Sequence, residues 1–123
     1  MNAVDTAHSA TITVADTTYA RLTRLFNTPD ITGYERAESE FLSTRADSAD
    51  HVIHKLQLAE GYFDESCCYA ERDITRVVIE LIRQGEIDNA IYYATAIANN
   101  DIVEDYCADP IMSAIADLQI VRD

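Results

Sequence analysis

His51 and His54 stand three residues apart, with Asp47 about one helical turn before His51. Side chains at i, i+3 and i+4 of a helix converge, so two imidazoles and a carboxylate at this spacing are a candidate metal-ligand set. Helical metal sites draw further ligands from other helices, commonly as paired Glu-x-x-His motifs. The chain has no such motif, and a solvated polar face is the competing reading of these residues. A second candidate for chemistry is Cys67-Cys68, which follows Ser66 at the expected start of a helix, where the dipole favours a thiolate. No histidine is adjacent to that pair, and His8 forms no recognisable triad with Ser9 or Asp5. Glycine-rich phosphate loops and the Rossmann and kinase signatures are absent. These residues therefore predict neither an enzyme nor a bound cofactor.

The elements that would carry these residues are helical. Only three glycines and two prolines punctuate 123 residues, too few for the frequent turns of an all-β chain. Residues 1–15 read as a flexible lead-in, with Thr11 to Val14 as an alternative short strand, and residues 16–123 as one helical domain. Asp16 is expected to cap a helix with Tyr19, Leu22, Leu25 and Phe26 inward. A second helix begins at Thr28-Pro29-Asp30 or at Thr32, and reaches Leu42. Asp47 or Ser48 starts a third, with Val52, Ile53, Leu56, Ala59 and Phe63 on its stripe. A fourth runs from Ser66 with Ala70, Ile74, Val77, Val78, Leu81 and Ile82 inward, and ends at Gly85. The next stripe, Ile87 to Ala98, follows at once and makes a central antiparallel hairpin. Asn100 or Asp101 opens a short turn, and Asp109-Pro110 opens the last helix. The fold class is all-α, a compact bundle of five to six helices.

Charge narrows the partners. The net charge is −13, divided as five bases and nine acids in residues 1–60 against four bases and thirteen acids in residues 61–123. From Glu86 to Val121 there is no lysine or arginine, but there are Glu86, Asp88, Asp101, Glu104, Asp105, Asp109 and Asp117. Such a surface repels nucleic acid and anionic membrane and attracts cationic proteins. Helix caps and first turns account for Glu86, Asp88, Asp101 and Asp109, and leave Glu104, Asp105 and Asp117 over. Tyr92, Tyr93 and Tyr106 stand beside the acids and complete an expected contact surface with Asp101, Glu104, Asp105 and Asp109. A second face, with Leu58, Tyr62 and the stripe Arg72, Arg76 and Arg83, is expected to meet a partner or a second copy. Packing between two helical layers and local ion pairs are its alternative.

Cys67, Cys68 and Cys107 make an odd count with two neighbours, which points to reduced thiols and a cytoplasmic location. No apolar run approaches the roughly 18 to 20 residues of a membrane span, and no signal-peptide pattern opens the chain.

The segment Ala46 to Leu58, ADSADHVIHKLQL, followed by the arginine-bearing Glu71–Arg83, resembles short uncharacterised helical proteins from phage-like regions of bacterial genomes. The resemblance covers about a third of the chain and transfers no site residues; it implies an accessory bacterial or viral gene. Together these features predict a small acidic protein that binds another protein as a homodimer, one form of it being an inhibitor or immunity-type protein that occludes a basic site. A metal- or small-ligand-binding bundle built on Asp47, His51 and His54 is the alternative.

Overall fold

Threonine, aspartate and serine side chains cap three of the helix starts. A computed structural model describes residues 13–122, which hold six α-helices and no strand. The chain divides into two compact units, the first ending at Asp47 and the second beginning at Ser48.

The first unit is a helical hairpin of α1 (Val14–Leu25) and α2 (Ile31–Ser43). Thr13 caps α1 in a capping box: its hydroxyl accepts from the Asp16 amide at 3.0 Å, and its own amide donates to the Asp16 carboxylate at 3.2 Å. Asp16 is thus the third helical residue rather than the cap, and Val14 is helical rather than extended. Most of the expected lead-in lies outside the described residues. For α2 the cap is Asp30, whose carboxylate accepts from the Gly33 amide at 2.9 Å. That carboxylate folds over Gly33, where a Cβ would collide with it, so the glycine serves the cap. Tyr19 packs on Phe41 with ring centroids 5.3 Å apart, and Arg21 pairs with Glu40 across the hairpin.

The second unit holds α3 (Ala49–Glu65), α4 (Tyr69–Arg83), α5 (Ile87–Ala98) and α6 (Asp105–Arg122). Each packs on its chain neighbours and α6 returns to α3, closing a four-helix ring. Short connections make successive helices antiparallel. Val52, Leu56, Ala59 and Phe63 from α3 meet Val78 and Ile79, Ala90 and Ala94, and Ile111, Ala114 and Leu118 in the core. Burying each large apolar side chain contributes roughly 1.5–3 kcal/mol.

In the second unit two starts differ from the sequence reading. Ser66 is the C-cap of α3, and α4 begins after Cys68. The last helix starts at Asp105, so Asp109 lies inside it and Pro110 occupies its second turn. The buried Pro110 leaves the Tyr106 carbonyl without its i+4 amide, a cost that the unit accepts near a helix end.

The inward face of α4 is rotated from the expected stripe. Thr75, Val78, Ile79 and Ile82 are buried, whereas Ile74 and Val77 are exposed. Thr75 is admissible in the core because its hydroxyl donates to the Glu71 carbonyl at 2.8 Å.

The joints α3–α4 and α4–α5 share one geometry. Cys68 N–H donates to the Phe63 carbonyl at 2.8 Å and Cys67 N–H to Asp64 at 3.2 Å; Glu86 N–H donates to Leu81 at 2.8 Å and Gly85 N–H to Ile82 at 3.0 Å. Both are Schellman caps. Gly85 takes the left-handed position at φ 78°, as its sequence context predicts, but in the first joint that position belongs to Cys67 at φ 61°. A side chain there costs roughly 1–2 kcal/mol in conformational energy. Cys67→Gly is accordingly expected to raise the unfolding free energy by about 0.5–1 kcal/mol and Gly85→Ala to lower it by about 1 kcal/mol. Urea titration checks both; shifts in the same direction would show that the caps are not set by this torsion.

Candidate partner-binding surface

The acidic third falls on α5, α6 and their connection, apart from Glu86, the residue that precedes α5. Asp101, Glu104, Asp105 and Asp109 are exposed at the end where α5 gives way to α6. Asn100 shapes the connection: its carbonyl accepts from the Val103 amide and its side chain from the Ile102 amide. Ile102 is thereby held outward at 75% exposure. Tyr92 on α5 is 70% exposed and meets Tyr93 edge to face, centroids 5.3 Å apart.

Two residues stand apart from these acids: Tyr106 of the expected contact surface, and Asp117 of the acids that helix caps left over. Tyr106 lies about 100° around α6 from Asp105 and about 60° from Asp109. Its ring packs on Tyr62 at 5.6 Å and its hydroxyl meets Ser66 Oγ at 2.5 Å. Asp117 is not on the surface. Its carboxylate takes the Lys55 ammonium at 2.6 Å, with the two side chains 5% and 1% exposed. Lys55 is the only lysine of the chain, and the sequence reading left its place unassigned. The signal was present: Lys55 is three residues after Val52 and four before Ala59, and Asp117 three after Ala114. Both therefore lie on inward stripes.

The basic stripe is matched within the unit. Arg72 pairs with Asp64 at 2.6 Å and Asp73 at 3.1 Å, Arg76 with Glu60 at 3.1 Å, and Arg83 with Glu80 at 2.6 Å. Arg122 reaches Asp88 at 3.8 Å. Every base of the second unit thus has an acid inside it. Among the described residues Asp101, Glu104, Asp105 and Asp109 have no base within ion-pair distance. Leu58 and Tyr62, placed with the stripe on an outer face, are half-buried.

The histidines are on α3, with ring centroids 6.1 Å apart. His51 faces inward at 7% exposure, and its Nδ1 lies 3.1 Å from Ser48 Oγ, so it does not belong to a solvated polar face. His54 Nδ1 lies 3.4 Å from Gln57 Oε1. Asp47 ends the first unit, and among the described residues no three His, Cys, Asp or Glu side chains gather as a metal site.

Cys68 and Cys107 both approach Ser66, which their spacing did not disclose. Ser66, beside Cys67 and Cys68, has its carbonyl 3.7 Å from Cys68 Sγ and its hydroxyl 3.9 Å from Cys107 Sγ. Burial pushes the Cys107 thiol up, although hydrogen bonds from Ser66 and Tyr106 act against it. The exposed Cys67 accepts from the Tyr69 hydroxyl at 3.5 Å, a hydrogen bond that raises the tyrosine's pKa.

Between α5 and α6 runs an open groove of about 300 Å³, with Thr95, Ala98 and Asn99 on one side and Met112, Ala116 and Gln119 on the other. Among the described residues no helix is long and apolar enough to cross a membrane. No protein-family model, curated protein or solved structure matches the chain significantly.

Proposed function

We propose that the protein is a small acidic binding protein that recognises a basic surface on another protein through the α5–α6 side of its second unit. The observation that carries this reading is the charge balance within that unit. Lys55, Arg72, Arg76, Arg83 and Arg122 are all engaged by acids of the same unit. Asp101, Glu104, Asp105 and Asp109 are exposed without such a base, beside the outward Ile102 and Tyr92. Acids together with aromatic and aliphatic side chains suit a cationic protein, and like charge turns away nucleic acid. The protein acts by occupying its target, as an inhibitor or immunity-type protein does, and not by catalysis. Its own second copy is a poor occupant of this side, since a two-fold contact would set the same acids against each other.

The test is capture of the partner from the native host, followed by binding kinetics with that partner. The variant Glu104→Gln, Asp105→Asn, Asp109→Asn is expected to slow association about tenfold or more, because opposite charges steer encounter. Wild-type association should fall with added salt, as the Debye length shrinks from about 10 Å at 0.1 M to about 3 Å at 1 M. The variant should depend on salt less steeply. All three positions lie at the start of α6 or just before it, so circular dichroism must first show an unchanged melting curve. An association rate indifferent to salt and to the substitutions would overturn the proposal.

A further inference from the structure

Resting on that reading, we infer that the bound element of the partner is an amphipathic helix, seated in the α5–α6 groove with its basic end toward Asp105 and Asp109. Three observations meet there. First, the groove is floored by small side chains, Ala98 and Ala116 with Thr95, between two antiparallel helices. Small residues permit the close approach of a third helix, whose axis would lie about 8–10 Å from its neighbours. Second, Met112 is 57% exposed on its wall, a flexible apolar side chain that adapts to varied partners.

Third, the charge along the groove is polar in direction. Met112, Ala116 and Gln119 follow one another at i, i+4 and i+7, and cover about 10 Å of helix axis. The same face of α6 continues back to Asp109 and Asp105, and the connection adds Asp101 and Glu104 at that end. At the other end Asp88 is already met by Arg122 at 3.8 Å. A partner helix of about four turns therefore finds apolar contacts first and unpaired acids after them, a pattern that lysine or arginine at one end would complement. An extended peptide gains no such fit, because the described residues offer no strand edge to pair with.

The probe is a displayed library of 16-residue helical peptides with leucine, isoleucine or methionine at i, i+3 or i+4, and i+7, and with lysine or arginine randomised along one end. Selection on the full chain is expected to enrich peptides that keep both the apolar set and the basic end. For the tightest of these, the double variant Met112→Ala, Ala116→Gln should raise the dissociation constant at least tenfold. Amide shifts in nitrogen-15 spectra should centre on Thr95, Asn99, Ala116 and Gln119. Both substituted positions are exposed, and an unchanged melting curve identifies the loss as one of contact. Selected peptides that are basic without an apolar set, and whose binding ignores the double variant, would overturn the groove inference while leaving the basic-partner reading intact. Enrichment of apolar peptides without the basic end would overturn the charge reading instead. Failure of the library to yield any binder overturns the helical occupant.

Discussion

Lys55→Met with Asp117 left in place is expected to lower the unfolding free energy by about 3–5 kcal/mol, and Asp117→Leu with Lys55 left in place by a similar amount. Either substitution strands a charged group on the inner sides of α3 and α6, where water cannot replace the missing partner. The ion pair itself earns far less than that, because bringing both ions out of water offsets most of their attraction. Lys55→Met combined with Asp117→Leu is therefore expected to restore stability to the wild-type level or above it. Chemical denaturation of the four proteins completes a double-mutant cycle, and a large coupling energy is the expected result. Single variants that cost under about 1 kcal/mol, as surface pairs do, would mean that the pair is not buried.

A second large effect separates the two readings of α4. Ile79→Ala is expected to cost about 2–5 kcal/mol, since Ile79 is buried in the ring of four helices. Val77→Ala should cost less than about 0.5 kcal/mol, because Val77 is half exposed and its loss opens no cavity. The apolar stripe read from the residues ranks these two the other way. A larger loss for Val77 than for Ile79 would turn α4 back by about 90° and remove the assignment of its exposed face.

That contrast shows where the residues speak clearly. The stripes of α3 and α5 were legible because each has one apolar side: Val52, Leu56, Ala59 and Phe63, then Ala90, Ile91, Ala94 and Ile97, are buried as their spacing requires. On α4 aliphatic residues cover a wider arc, from Ile74 through Val77, Val78 and Ile79 to Ile82, so periodicity alone could not choose between neighbouring orientations. The choice fell to Thr75, a polar residue whose hydroxyl is satisfied within its own helix. Residue type misled in the same way at Asp117 and Lys55, because a charge reads as surface until its partner, 62 positions away, is known. Caps were mistaken by a turn where several candidates stood close together. Thr13 and Asp30 prevailed over Asp16 and Thr28 because their oxygens reach amides three residues on. Gly85 was legible since glycine is the usual occupant of a left-handed cap; Cys67 in the matching place was not. The exposed acids of the α5–α6 connection were legible as charge. Their nearness to a groove depends on how two helices pack, and no single stretch of residues carries that.

The burial of Lys55 has a consequence for how this molecule meets electrophiles. With its sole lysine enclosed, the folded surface presents no ε-amine to an acylating reagent, an amine-directed cross-linker or a lysine-modifying enzyme. Acylation at Lys55 must wait for the second unit to open. The time course of that single modification is consequently a clock for opening, written into the protein without any added label.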